Sequence, residues 1–272
     1  MKPSDTTTAV DKSGWPGAPS VSVHTFADNW SDPNSGGCEY SFTFPEFTRP
    51  SSWNNEDAPS DPILERANLE ILRAYGFASP SGTSVLNPDE VGAEFIDMCK
   101  TDLADISKEL GPEAIANMNY AEDSSFTVQL LTSHIASISI DTYEYTGGAH
   151  GNPGMMGVTL DMATGQKLML GNVVKNDQLQ SIMKRAYAEI LRDYEDALYE
   201  EARTEINAIV NDTTTMTPEA QVEKFGNQNF FLSGDGLMLF WNVYDITPYV
   251  AGQQMVFIPW SDLEGKLLVK RP

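Results

Sequence analysis

The order in which two apolar periodicities appear along the chain limits its fold more than any other feature. Segments that alternate every second residue come in neighbouring pairs. Segments with an apolar residue every third or fourth position come in separate blocks. Residues 21–26 alternate and read as a strand, and residues 38–47 alternate again with Tyr40, Phe42 and Phe44 on one face. Between them, Asp32-Pro33-Asn34-Ser35-Gly36-Gly37 is a turn signal. A helix is predicted to open at Asp61-Pro62, with Asp61 as N-cap, and to stop at Gly76. A second begins near Asn87-Pro88, carries Val91, Phe95, Met98, Cys99, Leu103 and Ile106 on its apolar stripe, and ends at Gly111-Pro112.

Residues 125–131 and 135–143 read as strands, and 158–162 and 166–170 flank the compact turn Ala163-Thr164-Gly165. One long helix is predicted from Asp177 to about Ile209, with an acidic outer face of Glu189, Asp193, Glu200, Glu201 and Glu205. Thr217-Pro218 starts a short helix, with Thr217 as cap. Strands at 229–232 and 237–244 flank the turn Ser233-Gly234-Asp235-Gly236, and 255–258 is the last strand, ended by Pro259.

This order predicts an α+β protein, with antiparallel sheets packed against segregated helices in two small subdomains, rather than an alternating α/β chain. Residues 1–20, rich in Thr, Ser, Gly and Pro, read as a flexible tether. Residues 21–122 form the expected N-terminal strand-helix subdomain and 123–272 the C-terminal domain. With 272 residues and 41% hydrophobic content, the chain is long and apolar enough to bury a sizeable core.

Against 39 acidic residues stand 17 Lys and Arg, a net charge of -22. A phosphate backbone would repel such a chain, so nucleic acid is excluded as a partner, and anionic membrane surfaces are disfavoured. A basic protein is favoured by sign, although acidity also serves solubility alone. No apolar run approaches the length of a membrane span. The start, Met1-Lys2-Pro3-Ser4-Asp5, lacks the apolar region of an export signal and reads as a polar tether, as it would if Met1 stood in place of an export or lipoprotein signal.

Little in the sequence points to catalysis. No nucleophile elbow, phosphate loop, dinucleotide fingerprint or calcium loop is present, and Ser233 lies in a hairpin turn. Cys38 and Cys99 have no zinc spacing; they read as two buried thiols, or as one disulfide if the chain is exported. The segment Tyr145-Thr146-Gly147-Gly148-Ala149-His150-Gly151-Asn152 follows a long strand, and its paired glycines imply unusual backbone geometry. His150 is either an acid/base, with Asp141 or Glu144 nearby, or a loop brace; the second is the commoner role. Tyr244 and Tyr249 are either core aromatics or rings that stack on a sugar or a partner.

Several segments occur in a telling order: Tyr145 to His150, Leu160-Asp161 with Thr164-Gly165, Gly234-Asp235-Gly236-Leu237, Tyr244 to Gly252, and Val256 to Trp260. Together they resemble the RsiV-like C-terminal domain family over roughly residues 125–263. The part before them resembles the PdaC/RsiV-like domain that usually precedes it. The resemblance implies an α+β module exposed outside the cytoplasm, whether periplasmic, secreted or lipid-anchored, without established catalysis of its own. Such domains occur in an anti-sigma factor whose extracytoplasmic region binds lysozyme, and in a peptidoglycan deacetylase outside its catalytic domain. Unlike the anti-sigma factor, this sequence has no transmembrane helix and no sigma-binding segment.

The expected protein is therefore a non-catalytic envelope protein that binds a wall hydrolase such as lysozyme, or peptidoglycan, and needs no metal or cofactor. Its candidate binding residues are Tyr145, Gly147, Gly148, His150, Asn152, Tyr244 and Tyr249. The alternative is an enzyme acting on wall glycan with His150 as acid/base.

Overall fold

The computed structural model describes residues 17–32, 36–50, 61–79 and 84–269. Most of the expected tether, the middle of the turn at 33–35 and the polar loop before the first helix lie outside the described residues, as does the side chain of Asp61, the expected N-cap.

The chain is α+β, a six-stranded mixed sheet and a three-stranded antiparallel sheet with six α-helices among the described residues. The large sheet takes its strands in sequence order: β1 (Ser20–Asp32), β2 (Gly36–Thr48), β3 (Asn119–Leu131), β4 (Ile135–Tyr145), β5 (Asn152–Asp161) and β6 (Gln166–Leu168). Every neighbouring pair is antiparallel except β2 and β3, which run parallel with Gly37 opposite Asn119. The departure has a simple cause. Helices α1 (Asp61–Ala74) and α2 (Pro88–Leu110) form a crossover between those two strands, and a crossover returns the chain in the same direction. Strand β3 begins before residue 122 and continues past it, so strands from both expected subdomains share one sheet.

Helices α1 and α2 cover one face of the large sheet. Leu64, Ala67 and Ile71 of α1 pack on Ile138, Ile140, Val158 and Leu160, while Phe95, Cys99 and Leu103 of α2 pack on Cys38, Tyr40 and Phe42. The Asn87 side chain caps α2 by accepting from the Asp89 amide at 3.1 Å. Cys38 and Cys99 are disulfide-bonded and tie α2 to β2.

The opposite face carries the small sheet, β7 (Phe230–Leu232), β8 (Gly236–Trp241) and β9 (Gln254–Pro259). Strand β7 lies so close over β5 that a Cβ on Gly157 would sit 1.8 Å from the Phe230 carbonyl oxygen. Ser137 accepts from the Leu232 amide at 2.9 Å and shares a hydrogen bond with Thr159 at 2.8 Å, so this buried contact is polar but satisfied.

Beyond the small sheet, the expected long helix is two helices. Helix α4 (Leu179–Tyr194), which follows the short α3 (Leu170–Val173), passes into a 3₁₀ turn at Glu195–Ala197. After an extended Leu198 the chain continues as α5 (Glu200–Asn211). No glycine or proline marks the break. It folds α5 back on α4 so that Ile190, Leu198, Ile206 and Ile209 share one core with Leu239 and Val256. A short α6 (Pro218–Phe225) follows, capped by Thr217, which accepts from the Ala220 amide at 3.3 Å.

Candidate functional site

Of the residues singled out in the sequence, three meet. The imidazole of His150 lies face to face on the ring of Tyr249, centroids 3.8 Å apart and planes 16° apart. Tyr244 follows at 5.9 Å from Tyr249 with its ring tilted by 35°. The rings come from distant parts of the chain, the β4–β5 loop and the loop between β8 and β9. His150 is exposed, Tyr244 is 50% exposed, and the neighbouring Val250 is 91% exposed. The row therefore faces outward and is not part of the core.

Both loops are held in place. Strand β6 pairs with β5 only from Thr159 to Asp161, which leaves the start of β5 with an open edge. Asn242 fills it: its side-chain oxygen accepts from the Met155 amide at 2.8 Å and its NH₂ donates to the Met155 carbonyl at 3.0 Å. A side-chain amide thus continues the sheet and fixes the start of the 242–253 loop. Within that loop the Asn242 amide donates to Asp245 at 2.7 Å and the Tyr244 amide to the Thr247 carbonyl at 3.1 Å. Buried Thr247 donates to Gln254 at 2.9 Å, and Gln254 in turn donates to the carbonyls of Ala251 and Gly252.

Tyr244 is the only non-glycine residue with positive φ among those described, at 70°. A bulky residue there is strained by about 1–3 kcal/mol, a cost that such a bonded loop can hold. The strand expected to reach Tyr244 accordingly ends at Trp241. The alternation in the sequence continued, but Asn242 leaves the strand to bond with β5.

The other expected residues divide. Tyr145 donates from its hydroxyl to the Gly148 carbonyl at 3.1 Å, and Gly147 and Gly148 adopt φ of 97° and 96°. They shape the loop that carries His150. The Nδ1 of His150 lies 3.0 Å from the Gly151 carbonyl, which only accepts, so Nδ1 carries the proton. Asn152 does not join the rings. It stands opposite Glu144 in the sheet register and lines a cavity beside α1 and α2 together with Glu122 and Glu144. The role of Asn242 is not legible in the sequence because it depends on an edge that only the folded sheet creates.

Such a fold and surface define a two-domain α+β module with an aromatic row at the domain junction. Residues 68–153 match the family model described as Deacetylase PdaC, and residues 177–261 match that described as a protein of unknown function, DUF3298. The chain carries a PdaC domain followed by a DUF3298 domain, the order its resemblance implied, with the Tyr145–His150 segment inside the first match. His150 falls in the first match and Tyr249 in the second, so their stack joins the two.

Among solved structures, the fold is similar to that of a DUF3298 family member from Bacteroides fragilis, with a TM-score of 0.63 and 21% identity over 93% of this chain and 96% of that chain. A DUF3298 family protein from Pseudomonas aeruginosa has a TM-score of 0.49 and 19% identity, covering 91% of this chain and 94% of that chain. Comparison with curated proteins finds no match. The two domains point to a cell-wall-associated protein, and the disulfide points to an oxidising, extracytoplasmic location. Among the described residues, no helix is long and apolar enough to cross a membrane.

Proposed function

We propose that the protein is a non-catalytic, extracytoplasmic envelope protein, periplasmic or secreted, that binds a basic wall hydrolase of the lysozyme kind through His150, Tyr249 and Tyr244. The aromatic row, exposed at His150 and Tyr244 and half-buried at Tyr249, carries this reading. Rigid aromatic side chains on a preorganised loop are what binding hot spots are made of, because little side-chain freedom is lost when a partner covers them. The net charge of -22 favours a positively charged partner over the anionic wall polymer and speeds the encounter.

The setting of His150 supports binding over catalysis. A general acid/base needs a polar reaction space and a group that orients it. His150 is stacked on one face and exposed on the other, and no carboxylate among the described residues hydrogen-bonds to it.

Presenting lysozyme and purified peptidoglycan separately to the full chain at low ionic strength tests the proposal. The expected result is a lysozyme complex that weakens as salt is added. Co-sedimentation with peptidoglycan and no lysozyme complex would overturn it.

A further inference from the structure

A cavity of about 280 Å³ opens on the α1–α2 side of the large sheet, at the same end as the aromatic row. Glu122 and Glu144 are direct partners across β3 and β4, so their side chains share the sheet face that floors it. Ser124 and Thr142 form the next pair on that face. Aromatic rings complete the lining: Phe42 lies beside Ser124 on the sheet, and Tyr75 and Phe77 follow α1, with Tyr75 anchored by donating to the Thr43 carbonyl at 2.8 Å.

Two features of this cavity call for a ligand. Like charges placed directly opposite in a sheet repel, yet no ion pair among the described residues includes Glu122, Asp123 or Glu144. Burial, then Glu144 and Asp123, hold the Glu122 carboxyl above its usual range, which is the signature of an uncompensated negative site. Independently, Ser124 is only 7% exposed and its hydroxyl has no hydrogen-bond partner among the described residues. Buried hydroxyls are nearly always bonded, so this one is an acceptor and donor still to be used.

We infer that the cavity binds an alkyl-ammonium group, the form in which a lysine side chain presents its charge, with Glu122, Glu144 and Ser124 as acceptors and the aromatic lining against the stem. An ammonium has three donors, and the site offers two carboxylates and one hydroxyl. The rings take the methylenes and favour the charge through their faces. An inorganic ion fits less well, since no group of three or more His, Cys, Asp or Glu side chains among the described residues gathers as metal ligands do. The inference deepens the proposed function, and rests on it only for the source of the amine, a lysine of a basic partner.

The test uses the full ¹⁵N-labelled chain titrated with Nα-acetyl-lysine amide, with its Nε-acetylated form and calcium chloride as comparisons. Saturable shifts at the Ser124, Thr142 and Asn152 amides are expected with the free amine alone. The double substitution Glu122→Gln and Glu144→Gln should weaken binding at least tenfold, and Ser124→Ala several-fold, with melting temperatures showing that each variant is folded. Equal shifts with the acetylated form or with calcium, or full binding by the double variant, would overturn the inference. Loss of the amine site with the lysozyme complex intact would remove this inference and leave the partner reading standing. An intact amine site without a lysozyme complex would do the reverse.

Discussion

His150, from the PdaC match, lies face to face on Tyr249, from the DUF3298 match, at 3.8 Å. The contact is the outermost of several that join the two parts. Below it Asn242 completes the β5 edge, and deeper still Ser137 bonds to the Leu232 amide. The aromatic row thus draws one ring from the PdaC match and two from the DUF3298 match.

Asn242→Ala removes both hydrogen bonds to Met155. The loss should cost about 1–2 kcal/mol, since each net hydrogen bond contributes about 1 kcal/mol. Amide exchange at Met155 should become faster while exchange in β3 is unchanged. Asn242→Asp should be no better, because a carboxylate would face the Met155 carbonyl that now accepts.

Reducing the Cys38–Cys99 bond, or replacing both residues by Ala, should lower the melting temperature. The bond closes a stretch with a sequence separation of 61, for which the chain-entropy estimate is about 4 kcal/mol. Thermal melts with and without reductant measure it. An unchanged melting temperature would show that α2 is held by its packing alone.

Acidification should stabilise the fold at first. Burial raises Glu122, Asp123 and Asp141, with Glu144 adding to the rise at Glu122 and Glu39 at Asp123. A carboxyl with a raised folded value contributes stability that is fully present below its unfolded value and is lost as pH rises through the folded one. Melting temperature should therefore climb as pH falls from 7 towards the ordinary carboxylate range, about 4. Asp212 and Asp262, held low by Thr214 and Arg185 respectively, act in the opposite direction below that range. Glu122→Gln should raise stability at pH 7 by a few tenths to about 1 kcal/mol and flatten the climb. A steeper climb in that variant would contradict the assignment.

Local patterning made most of the elements legible. Alternation located the strands, Asn87 and Thr217 marked two helix starts, and the aromatic face of β2 is the face that packs on α2. Two features are hidden for physical reasons. The break after Tyr194 has no glycine or proline, because it is imposed by packing Leu198 and Ile206 back on the same core. The first residues of β3 are polar, so alternation alone starts the strand at Ser125. Pairing with β2 and β4 extends it back to Asn119, against the weak strand preference of Glu122 and Asp123.

The site was half legible. His150, Tyr244 and Tyr249 stood out as residues, but their meeting depends on how β7 lies over β5. The Glu122–Glu144 pair is a matter of register, which residue types so far apart in sequence do not reveal.

The central claim is that the aromatic row is a binding surface for a basic wall hydrolase. Titrating lysozyme into the wild-type chain and into Tyr249→Ala by calorimetry at low salt tests it most directly. Tyr249 touches both other rings, so its truncation should weaken binding by about 2 kcal/mol or more, at least tenfold, while the melting temperature changes little. Equal affinity for the two proteins, or no heat of binding to the wild-type chain, would contradict the claim.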